Sequence, residues 1–401
     1  MGSKWDYAIN IVGAILARGC FFLVNVALSF LLSVGEYSEY GYFIGWINAL
    51  SAIVFLVVDV LQKMDLSSHG YFVKNKVFLM FLCLTASLLV GSVGLVFLSS
   101  EYGFREKVLF CFGVFSISML QVLATNYSIN NKIVRFNVVQ SVFMGLYLFS
   151  ALFVFYLGGG VFSYVLIYLV SVFFCGLCLL FGDGFFEGGF SILGGFKAFV
   201  FGALTSHIIP LLIQSLMGLP LLMVIQYFIK NTEGGDVAIS LIFLGSQLVN
   251  AINIFSSKYL QVLLPKVILT VNSEGGGAVN GCFWGYLKTM ALVLLVVMVL
   301  ILSGLECVDF WAKEYKSFFL LIVTFSIFNV IYWWYSDVVN AFGGARYVLA
   351  SSLIWGTLVL LIFLLIWETQ WMSLYLGYFL ALYLSRIPCS LFLKSRIGNV
   401  V

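Results

Sequence analysis

The chain consists of about twelve apolar stretches of roughly 20–30 residues, separated by short polar connectors. Hydrophobic residues make up 63% of the 401 residues and charged residues only 9%, whereas a soluble domain has about 25% charged residues. A helix needs about 20 apolar residues to cross the hydrocarbon of a bilayer, so each stretch predicts one membrane-spanning helix. The stretches are continuously apolar rather than alternating, which favours helices over strands.

The predicted fold class is therefore an all-α integral membrane protein of about twelve transmembrane helices. The spans are expected near residues 8–34, 41–62, 75–99, 107–127, 134–157, 160–182, 198–228, 237–262, 284–305, 317–341, 346–367 and 371–393. A Gly-rich connector at residues 183–197 divides them six and six. We expect an N-terminal lobe at 1–182, a cytoplasmic linker at 183–197 and a C-terminal lobe at 198–401.

The two halves of the sequence share short matches in the same order. Glu36 follows the first span as Glu233 follows the seventh, and Phe115–Ile117 in the fourth span recurs as Phe325–Ile327 in the tenth. Since each half has six spans, the two repeats have the same orientation. Parallel repeats of this kind predict two pseudo-symmetric lobes around a central cavity, which move against each other during transport.

The positive charges of the connectors predict the orientation in the membrane. With the N-terminus in the cytoplasm, twelve Lys and Arg residues fall on the cytoplasmic side and five on the outer side, as the positive-inside rule requires. Both termini are expected in the cytoplasm. The first span is too long for a signal peptide and should remain as a helix.

The CxxC pair of Cys175 and Cys178 lies within the sixth span and is interpreted as structural, so no metal site is expected.

Three segments carry a family resemblance. The segment from Arg18 to Phe43, which includes Ser33-Val34-Gly35-Glu36-Tyr37, resembles the first helix and loop of bacterial polysaccharide flippases of the Wzx family. Leu264-Pro265 and Asn340–Arg346 resemble the corresponding segments of that family. The wider superfamily also contains multidrug exporters and lipid II flippases, and the latter typically have two more helices than this chain.

The resemblance implies a flippase in the bacterial inner membrane, not an enzyme and without a cofactor. Its substrate would be an oligosaccharide repeat unit on undecaprenyl pyrophosphate, moved by alternating access from the cytoplasmic to the outer leaflet. Implied partners are membrane lipid, a polysaccharide polymerase and a chain-length regulator, with Na⁺ or H⁺ as the coupling ion and no nucleic acid. The implied glycan pathway is that of O-antigen or lipopolysaccharide.

Two other functions stay open from the sequence. One is an ion-coupled exporter of drugs or small molecules from the same superfamily, which predicts an acidic or apolar pocket. The other is a membrane-embedded polysaccharide polymerase or transferase, for which we expect a large outer loop rich in Arg. The sequence contains no GxxxxGK[ST] motif for ATP and no HExxH motif.

Arg18 is the main candidate for binding substrate, because it lies about ten residues inside the first span. A charge at the bilayer centre costs about 2.5–3.5 kcal/mol, and a guanidinium matches the geometry of phosphate. Arg18 is interpreted as an anchor for the pyrophosphate. The alternative is a side chain that reaches back to the cytoplasmic interface.

Further candidates lie in the second, eighth and tenth spans. Asp59 and Lys258 occupy matching positions in the two repeats and predict either a substrate-facing pair, which opens and closes with transport, or two hydrated interfacial charges. Asp337 is a candidate for ion coupling or another interfacial charge. In the eighth span, Gln247, Asn250 and Asn253 have side chains that bind sugar hydroxyls but also join helices.

The seventh span contains two candidates for gating, His207 and Pro210. A proline within a helix frees a backbone carbonyl and kinks the helix, and a histidine titrates near neutral pH. The alternative for His207 is a packing role with a satisfied hydrogen bond.

Overall fold

The computed structural model describes residues 4–68, 76–96, 102–129, 132–182, 213, 216–274, 277–307, 315–342, 344–366 and 371–397. Its helices are α1 Lys4–Leu31, α2 Val34–Ser68, α3 Lys76–Gly94, α4 Phe104–Ile129, α5 Ile133–Tyr156, α6 Val161–Phe181, α7 Leu219–Lys230, α8 Gly235–Glu274, α9 Gly277–Cys307, α10 Lys316–Ala341, α11 Ala345–Ile366, α12 Trp371–Ser385 and α13 Ile387–Ile397.

The predicted all-helical class is confirmed, since the described residues form helices and no strands. Helices α1 to α6 correspond to the first six predicted spans, α7 to the end of the seventh, and α8 to α11 to the next four. Seven of the described helices are long and apolar enough to cross a membrane. The chain is therefore a multi-pass membrane protein.

Contacts divide the chain into two compact units, residues 1–231 and 232–401. Helix α7 packs on α2 and so belongs to the first unit. The predicted linker at 183–197 lies outside the described residues, and the predicted lobe boundaries stay a prediction.

The same packing order occurs in both units. In the first, α2 packs on α3 and α4, α4 packs on α6, and α5 packs on α6; in the second, α8 packs on α9 and α10, α10 packs on α12, and α11 packs on α12. The matched serines of the sequence repeat also have matching environments. Ser116 of α4 and Ser326 of α10 are both fully buried, and each donates to a carbonyl one turn earlier, at 2.7 and 2.8 Å. Each unit thus repeats the other's internal architecture.

Large aromatic side chains fill the interior of each unit. In the first unit the buried ring of Phe43 packs edge-on against Phe110 and Phe162, with centroids 5.5 and 5.4 Å apart. In the second unit the buried ring of Trp334 packs against Tyr286 and Phe283, at 5.1 and 5.6 Å. Tilted and edge-on arrangements are the favourable geometries for such pairs. Bulky rings therefore hold the helices of each unit together.

Hydroxyl groups on exposed helix faces bond to their own helix. Ser92 of α3 donates to the carbonyl of Leu88 at 2.6 Å, and Ser303 of α9 donates to that of Val299 at 2.9 Å. Thr324 of α10 does the same with Leu320 at 2.7 Å. A polar group that faces hydrocarbon is costly unless it is hydrogen-bonded. These local bonds explain how the helices tolerate hydroxyl groups on exposed faces.

The twelfth predicted span differs from the prediction, because it is broken at Arg386 into α12 and α13. The cause is Pro388, whose ring nitrogen has no hydrogen to donate to the carbonyl of Leu384 and whose ring crowds that carbonyl. Proline fits well in the first turn of a helix, and Pro388 is the second residue of α13.

The corner between α1 and α2 is a capping box. Glu36 accepts hydrogen bonds from the backbone N–H of Ser33 at 2.9 Å and from its hydroxyl at 2.7 Å, while the N–H of Glu36 donates to the Ser33 hydroxyl at 3.4 Å. This reciprocal pattern satisfies N–H groups that a helix start leaves without partners. The hydrogen bonds from Ser33 stabilise the carboxylate and lower the pKa of Glu36.

Candidate functional site

Helix α1 has an apolar exposed side and a polar side. Leu16, Leu23 and Phe30 recur every seven residues and are exposed, which is the pattern of a side that faces lipid. At 3.6 residues per turn, Arg18 is rotated by about 200° from Leu16. Arg18 therefore lies on the opposite side of the helix, in line with Asn25, which is one heptad further along.

The polar side of α1 continues into the interior of the first unit. Asn25 and Ser29 are buried; the Asn25 amide donates to the carbonyl of Phe21 at 2.7 Å and the Ser29 hydroxyl to that of Val26 at 2.7 Å. The Asn25 Oδ1 is buried and accepts no hydrogen bond from the residues that the structure describes. The sequence analysis did not select Asn25, because a single amide within an apolar run does not by itself indicate a site. Its spacing of seven residues from Arg18, which places both on one side of the helix, could have indicated it.

Arg18 itself is exposed, and it makes neither a hydrogen bond nor an ion pair with any described residue. An unpaired guanidinium within a span is not stable against lipid and requires water or an anion. Arg18 lies on the side of α1 opposite the exposed Leu16 and Leu23. The arrangement suits the binding of a phosphate group by a forked donor.

The amides of α8 divide between packing and exposure. Asn253 accepts a hydrogen bond at 2.7 Å from the amide of Asn329 of α10, so here it joins two helices. Gln247 is buried and Asn250 is exposed. Of the three, Asn250 is the one whose amide is available to a ligand from the exposed surface.

Asp337 of α10 is half-buried. Asp337 forms no hydrogen bond or ion pair with the described residues. A half-buried carboxylate that lacks such a partner can hold a proton or a small cation, which keeps Asp337 as a candidate for ion coupling.

The remaining candidates lie outside the described residues. These are His207 and Pro210, together with the side chains of Asp59 and Lys258, whose backbones lie in α2 and α8. Their predicted roles stay predictions. Within the described part of the chain, no three His, Cys, Asp or Glu side chains lie close enough to hold a metal ion.

One contact that was not predicted ties α7 to α2. The Lys230 ammonium lies over the ring of Tyr42, 4.5 Å from its centroid. Two turns earlier in α7, the buried side chain of Met223 fills the space beside Gly45, where an added Cβ would lie 2.9 Å from the Met223 sulfur. These two helices therefore pack closely around residues 42–45 of α2.

Comparison with known proteins gives a structural match but no sequence match. No family model matches the chain, and no curated protein matches its sequence. The lipid II flippase MurJ, solved in an inward closed conformation, is 13% identical with a TM-score of 0.73, over 96% of this chain and 87% of that one. An inward-facing multidrug resistance transporter of the MATE family and the MOP superfamily is 12% identical with a TM-score of 0.65, over 99% of this chain and 95% of that one.

A third similar structure is a MOP-superfamily transporter from Pyrococcus furiosus. It is 12% identical with a TM-score of 0.63, over 98% of this chain and 95% of that one, and its binding pocket is described as reversed in polarity. The chain has the fold of MOP-superfamily transporters. This fold agrees with the superfamily expected from the sequence. At 12–13% identity the similarity concerns the fold, so residue roles have to be argued from the side chains of this chain.

Proposed function

We propose that the chain is a flippase that moves an oligosaccharide on undecaprenyl pyrophosphate from the cytoplasmic to the outer leaflet of the bacterial inner membrane. The observation that carries the proposal is the placement of Arg18. It is a cation without an acidic partner among the described residues, on the side of α1 opposite the exposed Leu16 and Leu23. A guanidinium is the side chain best matched to a phosphate group. The fold shared with the lipid II flippase MurJ supports a lipid-linked substrate.

The transport step would use alternating access between the two repeats. The sugar and pyrophosphate would occupy a hydrated cavity while the polyprenyl tail stays in the bilayer. The repeated packing order of the two units supports this arrangement, because parallel repeats are the usual basis of such movement. Asp337 would couple transport to Na⁺ or H⁺.

The decisive experiment replaces Arg18 and measures surface polysaccharide in a bacterium that depends on this chain. Arg18→Ala should reduce surface polysaccharide more than about tenfold, since charge-assisted hydrogen bonds contribute about 1.5–3 kcal/mol. Arg18→Lys should restore it in part, because Lys keeps the charge but loses the fork. Gly19→Ala is the matched control, since an added Cβ there meets no atom within 4 Å.

All variants must reach the membrane in equal amounts, as judged by immunoblot. Transport is then measured directly with the purified chain in proteoliposomes that contain a lipid-linked oligosaccharide. Normal polysaccharide with Arg18→Ala would contradict the proposed anchor. Absence of transbilayer movement by an active, folded protein would contradict the flippase.

An exporter of small cations is the second candidate, and Asp337 favours it. A half-buried carboxylate without a hydrogen bond or ion pair among the described residues is chemically suited to a cation, and several structures with this fold are multidrug transporters. The two functions differ in a simple test. If the chain is an exporter, its loss should raise sensitivity to cationic drugs and leave the surface polysaccharide intact. If the chain is a flippase, its loss should abolish the surface polysaccharide and leave drug sensitivity unchanged.

A further inference from the structure

The break in the last membrane segment places an arginine beside two aromatic rings. Arg386 is the single residue between α12 and α13. Its guanidinium carbon lies 4.0 Å from the ring centroid of Tyr383 and 5.6 Å from that of Tyr335. Its Nη2 donates a hydrogen bond to the Tyr383 hydroxyl at 2.6 Å. Tyr335 belongs to α10, so the arginine also links α12 to α10.

Arg386 lies well inside the helical layer. The contacts of α11 with the last segment run in order: Tyr347 meets Phe392, Ser351 meets Cys389 and Trp355 meets Tyr378. Arg386 is therefore level with a point between Ser351 and Trp355. At 1.5 Å per residue this is about 9–15 Å along α11 from its first residue. The predicted cytoplasmic ends of α10 and α11 are thus about two turns or more away.

No acidic residue in the described part of the chain neutralises the charge of Arg386. Among the described residues, its polar partner is the Tyr383 hydroxyl, and it has no ion pair. Asp337, two residues after Tyr335, does not pair with it. Arg386 is half-buried, so part of the guanidinium can be reached. The hydrogen bond to Tyr383 occupies one of five N–H donors.

Two features of this arrangement favour an anion-binding site over a purely structural contact. The two rings and the hydrogen bond to Tyr383 hold the guanidinium in place, and its other N–H donors are chemically suited to a planar or tetrahedral oxyanion. A proline-broken membrane helix is also where transporters commonly place ligand groups. An unpaired cation at this depth is costly and indicates a functional anion partner.

We propose that Arg386, held by Tyr383 and Tyr335, is a phosphate-binding site within the C-terminal unit, separate from Arg18. The phosphate can belong to the undecaprenyl pyrophosphate of the carried substrate or to a phospholipid headgroup. Only the first source rests on the proposed flippase function. Tyr383 and Tyr335 are positioning residues, since they act through the guanidinium.

The test measures binding to the purified full-length chain in detergent by native mass spectrometry. The probes are undecaprenyl diphosphate, dioleoylphosphatidylglycerol and, as a reference without phosphate, dioleoylglycerol. Arg386→Gln should weaken binding of a phosphate lipid about tenfold and leave dioleoylglycerol unchanged. Lys394→Gln is the matched control, an exposed cation two turns further along α13, and should change affinity less than about twofold. Arg386→Lys should lie between the two.

The comparison of the lipid probes distinguishes the two sources of phosphate. A loss for undecaprenyl diphosphate alone assigns the site to the substrate, and a loss for dioleoylphosphatidylglycerol alone assigns it to phospholipid headgroups. A loss for both supports a site for the phosphate group that the two lipids share. Unchanged affinity of folded Arg386→Gln for both would overturn the site. If that variant does not fold, Tyr383→Phe decides: it keeps the ring but loses the hydrogen bond, so about threefold weaker binding supports the site and wild-type affinity overturns it.

Failure of this site and failure of the flippase are distinguishable. If the chain binds phosphate lipid through Arg386 but moves no lipid-linked oligosaccharide, the site is supported and the flippase function is contradicted. If the Arg386→Gln variant transports and binds normally, the flippase function is supported and the site is contradicted.

Discussion

The Lys230 ammonium of α7 lies 4.5 Å from the centre of the Tyr42 ring of α2. A cation over a tyrosine ring contributes about 0.5–1 kcal/mol at an exposed position. Lys230 and Tyr42 are half-buried and buried, respectively. Helix α7 packs on α2, so this contact helps to hold the last described helix of the first unit.

A double-mutant cycle should detect this contact. Lys230→Gln and Tyr42→Leu should each lower thermal stability in detergent, and the combined loss should be smaller than the sum by about 0.5–1 kcal/mol. Lys288 of α9 is exposed and supplies a control lysine. Lys288→Gln combined with Tyr42→Leu should be additive. Additivity for the Lys230 pair as well would mean that the ring and the ammonium do not interact in solution.

The capping box predicts a pH-dependent contribution of Glu36. Its pKa is lowered by the hydrogen bonds from Ser33, so the stabilisation is present above the ordinary carboxyl pKa of about 4.3 and is lost as the pH falls through the lowered value. Glu36→Gln should therefore lower the melting temperature at pH 7, and the difference from wild type should shrink below about pH 4. Glu39→Gln, one turn further along α2, is the control. A difference that does not change with pH would contradict the role of the carboxylate charge.

Two glycines within helices should respond oppositely to the same substitution. At Gly113 of α4 an added Cβ would lie 2.7 Å from Ile47 Cδ1 and 2.9 Å from Leu169 Cδ1, whereas at Gly145 of α5 it meets nothing within 4 Å. Gly113→Leu should destabilise the protein by about 1–3 kcal/mol through overpacking. Gly145→Leu should be neutral or stabilising, since Leu favours a helix by up to about 1 kcal/mol over Gly. Thermal unfolding in detergent measures both, and equal effects would refute the close packing of α4 against α2 and α6.

The orientation inferred from charge is also testable. A reporter fused after Lys230 or Lys313 should report an outer location, and one fused after Lys197 or Val401 a cytoplasmic location, because twelve connector charges against five favour this orientation. A phosphatase reporter active only outside and a fluorescent reporter active only inside provide the measurement. A cytoplasmic Lys313 would be incompatible with six spans in each half.

The sequence predicted the helices well because a bilayer imposes a minimum apolar length on every crossing. The repeat could also be recognised, since matches such as Ser116 and Ser326 keep the same place in equivalent helices. The break at Arg386 was missed, because Pro388 and Arg386 lie in a run that is otherwise apolar. Hydropathy averages over such a window and does not resolve a single missing N–H group.

The side-chain partners could not be predicted in the same way. The Asn253 amide was a candidate for sugar binding and for joining helices, and its bond to Asn329 depends on how α8 faces α10. The contact of Lys230 with Tyr42 joins residues 188 positions apart. For Arg18 the helical period was enough to assign a side of α1. Only the structure shows that no acidic residue among the described ones pairs with it.

The hydroxyls that bond to their own helix have a practical consequence for spectroscopy. Ser92 and Ser303 are exposed, and each hydroxyl is bonded within its own turn rather than to a neighbouring helix. Replacing either serine with a spin-labelled cysteine therefore removes no hydrogen bond between helices. Because one residue lies in each compact unit, the distance distribution between two such labels would show whether the two units move against each other.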